Sequence, residues 1–246
     1  MAVDYPLFRP AGDAALLIEF GATLDLQVNR QVQIFDAWLT RARVEGVVET
    51  APTLRSVLVR FDPLKIDAAT LESELGEMLA SNLWQRDAVD NKIKRWRLPI
   101  CYGGETGTDL PEVAQRLGMT VEEAVSRHCA MSQRVLTLGF APGFMYTGLL
   151  QDDWNLPRLD YVKPSVPAGA VSVAVRQTVI TSTEIPTGWR TIGCTPFSNF
   201  NLAVDPPFLI GPGDELCFFP IDESCFTELA DQQHSGEVIL QSEQIA

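Results

Sequence analysis

Between residues 133 and 221 the chain carries no helical period. Short extended runs ("RVLTL", "AVSVAV", "TVITST", "ELCFFPI") are separated by clusters of Pro and Gly. That punctuation breaks helices and long strands alike, so the stretch predicts many short strands joined by tight turns. Such a sheet exposes fewer edges when it closes, and the expectation is an all-β barrel or closed sandwich. Inside it lies "LGFAPGFMYTGLL" (138–150), too broken by Gly and Pro for a helix or central strand and too apolar for a solvated loop. Two roles fit this segment: a water-excluding wall beside a pocket or partner edge, or a plug whose Phe side chains close one end of the barrel.

The first hundred residues read differently. "AALLIEF" (14–20) is a buried strand, and 26–42 places Val28, Val32, Phe35 and Leu39 on one helical face. "GVVET" and "TLRSVLVRF" (53–61) form a hairpin. A second amphipathic helix covers 68–84, and "KRWRLPICY" (94–102) is extended. The order β-α-β-β-α-β predicts a ferredoxin-like α/β sandwich over residues 1–102. After the turn-rich "GGETGTD", two short helices are expected. Asp109 with Glu112 caps the first and Thr120 with Glu123 the second, each in a capping-box pattern. The β-barrel domain then fills out 103–246, with 222–246 expected to be a polar, loosely ordered tail. The fold class is α+β.

Composition narrows the function. A net charge of −13 repels nucleic acid and anionic membranes. No apolar run approaches the roughly 18 residues of a membrane span, and the N-terminus lacks a basic region followed by an apolar core. Five scattered Cys without a CxxC pair argue against a disulfide framework or a thiolate zinc site, and fit a reducing cytoplasm. With two His, a multi-His metal site is not expected, and "GGETGT" lacks the spacing and Lys of a P-loop. No metal and no cofactor bound by this chain are therefore expected.

The blocks "GDAALLIEFG", "LPICYGGETGTDLPEVAQRLGMTVEEAVSRH", "LGFAPGFMYTGLL", "LPRLDYVKPSVPAGAV", "GWRTIGCTP" and "PPFLIGPGDELCFFPI" occur in this order. Together they resemble the family of the B subunit of 5-oxoprolinase, also called allophanate hydrolase subunit 1 or KipI-like, of the carboxyltransferase subdomain C/D type. The resemblance implies a cyclophilin-like barrel behind the ferredoxin-like domain. It implies one component of an ATP-dependent amide or lactam hydrolase, inactive alone, with ATP used by the complex. The partners implied are a companion C-type subunit (allophanate hydrolase subunit 2 type) and an A-type subunit. Two alternatives belong to the same family: a carboxyltransferase half-site of a biotin-dependent urea/allophanate system, and a regulatory inhibitor of a histidine kinase.

A lactam, urea and the ureido ring of biotin each present a carbonyl flanked by nitrogen, so the expected pocket recognises a small N–C=O substrate. Phe140, Pro142, Gly143 and Phe144 are its candidate wall. His128 is the catalytic candidate, a proton-transfer group whose ordinary pKa lies near 6.5; its alternative role is to cap helix carbonyls. Arg158 and Lys163 are candidate anion contacts, or else surface cations balancing an acidic chain. Family members typically carry Arg at both places, and Lys keeps the charge without the planar fork. Gln177 and Thr178 match the family's Gln-Thr pair. A Gln amide offers both a donor and an acceptor to an N–C=O group, or a hydrogen bond inside the barrel. Cys194 stands where the family has Arg, as a small buried thiol or, more sharply, a nucleophile.

Overall fold

The apolar face read at Val32, Phe35 and Leu39 is realised in helix α1 (Leu26–Ala42), and the one at Leu71, Leu75 and Leu79 in α2 (Ala68–Ser81). These residues are described by a computed structural model that covers 5–86, 93–202, 205–237 and 239–245. Both helices start where the chain supplies a carboxylate: Asp25 accepts from the N–H of Gln27 and Val28, and Asp67 from that of Thr70. Their apolar faces form one core with alternate residues of an antiparallel sheet, Leu16 and Ile18 on one strand and Val57, Val59 and Phe61 on another. The sheet comprises β1 (Leu7–Pro10), β2 (Ala15–Glu19), β3 (Val47–Pro52) and β4 (Ser56–Phe61), in the order β1-β2-β4-β3. Trp84, on the short helix α3 (Leu83–Arg86), meets Phe20 and Phe35 edge-on.

This unit corrects the β-α-β-β-α-β reading. The strand at 94–102 is absent from the sheet, and β1 occupies the edge beside β2 instead. The chain divides into compact units Met1–Asn91 and Lys92–Ala246, so the strand read as the last of the first domain opens the second. The cause is long-range pairing. β5 (Lys94–Tyr102) lies parallel to β13 (Glu215–Ile221), a partner about half the chain away that no local periodicity reveals.

In the second unit, α4 (Leu110–Leu117) and α5 (Val121–Ala130) precede the remaining strands. Those are β6 (Ser132–Leu138), β7 (Met145–Gly148), β8 (Lys163–Val166), β9 (Ala170–Ala174), β10 (Gln177–Ile180), β11 (Ile185–Thr187) and β12 (Arg190–Cys194). Seven strands close in the order β12-β9-β10-β7-β6-β13-β5 and back to β12, while β8 and β11 pair separately. Every barrel strand contributes to one core: Leu98 and Ile100, Val135, Met145, Val171 and Val173, Ile180, Ile192, and Leu216 and Phe218. Val113, Ala114 and Ala124 of the two helices join it. The lumen is thus filled by side chains, as in small barrels generally.

Thr120 and Glu123 form the expected capping box. Asp109 does not cap α4; its carboxylate accepts from the Thr191 N–H at 2.6 Å and pairs with Lys163. The polar tail is also more ordered than its composition suggests. Asp222 caps α6 (Glu223–His234), and β14 (Gln241–Gln244) pairs with β5. The seam is tight at Gly193, where a Cβ would stand 2.6 Å from the Cys101 carbonyl oxygen and 2.8 Å from Ile100 Cγ2. Gly193→Ala is expected to lower stability by about 1–3 kcal/mol through overpacking at this closure. A shift of the urea midpoint measures it, and an unchanged midpoint would show that the seam yields.

Candidate functional site

The segment 138–150 serves both faces of the barrel wall. Strand alternation sends Met145 into the filled core and Tyr146 to the outside. The loop ahead of them is a tight turn in which the Gly139 N–H donates to the Phe144 carbonyl and the Phe144 N–H to that of Ala141, both at 3.1 Å. Gly143 has φ +79°, and a Cβ there would lie 2.8 Å from Phe200 Cβ, so only glycine fits without displacement. Phe140 also takes a left-handed φ of 70°, which costs an L-residue about 1–2 kcal/mol. It is nonetheless 74% exposed, while Phe144 is 3% exposed. The two Phe residues therefore differ: one anchors the turn and the other projects from it. Pro142 is exposed within the same turn.

From this turn a line of rings crosses the outer face. Phe140 lies 5.6 Å from Phe144, Phe144 5.1 Å from Tyr146, and Tyr146 6.3 Å from Trp189. The Arg158 guanidinium sits over Trp189 at 5.4 Å, a cation–π contact. Phe144, Ala174, Val179 and Trp189 form a small core of their own beneath this face. Burial pushes the Tyr146 hydroxyl pKa up, and the nearby Arg158 charge opposes that shift. Tyr146 and Trp189 are not singled out by sequence reasoning, although both stand within the motif blocks that carry the family resemblance.

His128 is elsewhere. It is fully buried, stacked on Phe218 with centroids 4.8 Å apart. The Gln133 amide donates to His128 Nε2 at 3.2 Å, and the Thr178 hydroxyl lies 3.0 Å from the same nitrogen. The ring's own proton is then on Nδ1, donated to the Tyr102 hydroxyl at 2.7 Å. Burial lowers its pKa to about 3, so the imidazole is neutral at pH 7. The geometry makes His128 a hydrogen-bonding hub of the core, with its ring bonded to the Tyr102, Gln133 and Thr178 side chains.

Period-2 alternation also separates the Gln-Thr pair. Thr178 points inward to His128, whereas Gln177 sits against Gly148 on the side opposite the main core. Gln177 is 6% exposed and its amide oxygen has no hydrogen-bond partner. Lys163 is not a free anion contact, because it is held in a mostly buried pair with Asp109. Arg158 is exposed and keeps its charge available. Cys194 is buried, with burial raising its thiol to about 11, the opposite of an activated nucleophile.

Arg190 escapes sequence reasoning. It is almost fully buried and donates to the Pro157 carbonyl at 2.5 Å and to Glu112 at 3.2 Å, fixing the segment that carries Arg158. Its sequence signal is only an Arg within a strand, which looks like any surface cation. Among the described residues no group of three or more His, Cys, Asp or Glu is placed to hold a metal ion, and no helix is long and apolar enough to cross a membrane.

Comparison with known proteins adds an independent line. Residues 6–210 match the family model described as carboxyltransferase domain, subdomain C and D. A Bacillus subtilis protein named as the B subunit of 5-oxoprolinase is 33% identical over 235 residues, spanning 91% of this chain and 95% of that protein. A conserved uncharacterized protein from Pyrococcus horikoshii is 38% identical, covering 89% of this chain and all of the other, with a TM-score of 0.52. The fold also resembles part of the K. lactis urea amidolyase, with a TM-score of 0.77 at 20% identity, over 97% of this chain and 16% of that one.

The His128 environment predicts an acid-sensitive core. The folded pKa lies near 3 and the ordinary value is 6.5, so the unfolded chain binds more protons between them. The stability contributed by the neutral ring is complete above pH 6.5 and is lost as pH falls through that window, at about 1.4 kcal/mol per pH unit. His128→Gln is expected to be less stable at pH 7 yet to lose less stability between pH 7 and pH 5. Urea midpoints at the two pH values measure the difference, and equal losses in both proteins would contradict this account.

Proposed function

The chain belongs to the family of carboxyltransferase domains, subdomain C and D, and from that premise we propose that it acts as the B-type component of an ATP-dependent 5-oxoprolinase. In this reading it opens a small lactam only together with a companion C-type subunit and an A-type subunit, in the cytoplasm. The observation that carries the reading is the end-to-end similarity to the Bacillus subtilis B subunit, which spans nearly the full length of both chains. The filled lumen supports a shared site, because it leaves the chemistry to an outer face that a second protein can cover.

On that face the residues divide the work. Arg158, held over Trp189, attracts the carboxylate of 5-oxoproline. The Gln177 amide oxygen, unpartnered and closed off from solvent in the chain alone, accepts from the ring N–H once the companion subunit reshapes this face. Phe140 projects toward the companion C-type partner and helps to exclude water, so that the polar contacts are made in a drier medium. Ring opening adds water across the lactam C–N bond to give glutamate, and ATP hydrolysis by the complex drives it. His128, neutral and enclosed, supports the wall on which this face is built and transfers no proton. A second reading, a carboxyltransferase half-site that moves a carboxyl group from carboxybiotin, is favoured by the likeness in fold to urea amidolyase.

The deciding experiment combines the chain with its C-type and A-type partners and follows glutamate release from 5-oxoproline. Release is expected only with the full set and ATP. No release from the full set, with carboxyl transfer from carboxybiotin instead, would move the assignment to the second reading. Gln177→Leu separates function from folding. Removing a buried unpartnered oxygen is expected to leave stability equal or higher by about 1 kcal/mol, while activity of the complex falls at least about tenfold. Phe140→Ala is expected to keep the melting temperature and to weaken capture of the C-type partner in a pull-down; unchanged capture would place Phe140 outside the interface.

A further inference from the structure

The N-terminal unit contains a cavity of about 430 Å³, within the size range of small-molecule sites. It is separate in residues and chemistry from the barrel face. Tyr5, Phe8, Phe20 and Trp84 supply aromatic wall, and among the described residues no Asp, Glu, Lys or Arg lines it. Trp84 and Phe20 are held at fixed angles to each other and to Phe35 behind them, so this wall is rigid. The Trp84 indole N–H is donated to the Leu79 carbonyl at 3.3 Å, and Trp84 and Phe20 are almost fully buried, so these two rings back the wall while the half-buried Tyr5 and Phe8 rings offer surface to a ligand. Gln31 and Gln85 also line the cavity, and their side-chain amides make no hydrogen bond to any described residue. They supply donors and acceptors at the mouth.

Gly76 carries the argument further. It lies inside α2, well away from either end, where glycine destabilises a helix relative to alanine. Its φ is not left-handed, and a Cβ built on it would meet nothing within 4 Å. Neither backbone conformation nor close packing requires glycine here. Gly76 does line the cavity, so what its missing side chain preserves is the open volume.

We infer that this cavity is a binding site for a small, uncharged, flat heterocycle, stacked against the aromatic wall with its N–H and C=O edge turned to the Gln31 and Gln85 amides. The absence of a cation among the described lining residues turns away carboxylates, so the site is not a second position for 5-oxoproline or glutamate. An occupied N-terminal site would tie the protein to a neutral ring compound distinct from its substrate.

The test uses the full chain and three probes: indole, adenine as the free base, and 5-oxoproline as the anionic control. Ligand-observed NMR and calorimetric titration are expected to show saturable binding of indole or adenine in the micromolar to millimolar range, and none of 5-oxoproline without the companion proteins. Gly76→Ala is expected to raise the melting temperature while weakening binding several-fold. Gly76→Phe, which fills the volume, is expected to abolish binding. Failure of both neutral probes to bind, or equal affinity in the wild-type and Gly76→Ala proteins, would overturn the inference. Should Gly76→Phe not fold, the Gly76→Ala comparison still decides it.

Discussion

The structure of the second unit depends on one strand, Lys94–Tyr102, being paired along both sides. Glu215–Ile221 runs parallel to it over seven residues, while Gln241–Gln244 and the pair Gly193–Cys194 share its other edge. Asp214 locks the start of this arrangement. Its carboxylate accepts from the Lys94 N–H and from the Trp96 indole N–H, both at 3.0 Å, and from the Gly211 N–H at 3.2 Å. A carboxylate accepting three donors fixes the turn before the parallel partner. Once both edges of this strand are taken, the sheet closes and its inner faces pack against one another.

Closure then decides where chemistry can occur. A small closed barrel has room for side chains and little else, and here the inner side of each strand is already spent on the core. Polar groups on that side, His128, Gln133, Thr147 and Thr178, are satisfied within the barrel, by each other, by the Tyr102 hydroxyl and by the Thr178 carbonyl. They form a chain that ends where the Thr147 hydroxyl meets Gln133 Oε1 at 2.9 Å. The outer side keeps groups with unused capacity: the Arg158 guanidinium, the Gln177 amide oxygen and the ring of Phe140.

What can be read from the sequence follows the range of the interactions. The two N-terminal helices, the β3–β4 hairpin and the capping box at Thr120 and Glu123 rest on contacts a few residues apart, and they appear where periodicity and capping chemistry place them. The strand at 94–102 looks like a member of the first unit because its partner lies more than a hundred residues away. Asp109 fits a helix cap by local rule, but Lys163 and the Thr191 N–H outcompete that role. His128 and Thr178 are legible as special residues, not as inward ones. Gln177 and Thr178 are adjacent in sequence, yet in a strand adjacency places side chains on opposite faces. That alone splits the pair between core and candidate site.

The charged positions that differ from the family pattern gain a physical meaning from the same geometry. Lys163 reaches Asp109, whose other contact is the Thr191 N–H on the strand that closes the barrel, so its ammonium joins two parts of the framework. Cys194 is enclosed by the Ala168 and Thr195 carbonyls at 3.7 and 3.8 Å, next to a glycine whose Cβ would lie 3.2 Å from its sulfur. A guanidinium would need space that this packing does not contain. Both positions therefore serve the frame in this chain, whereas Arg158, over Trp189, stays exposed on the outer face. The placement of that side chain in turn depends on Arg190, whose guanidinium grips the Pro157 carbonyl one residue before it.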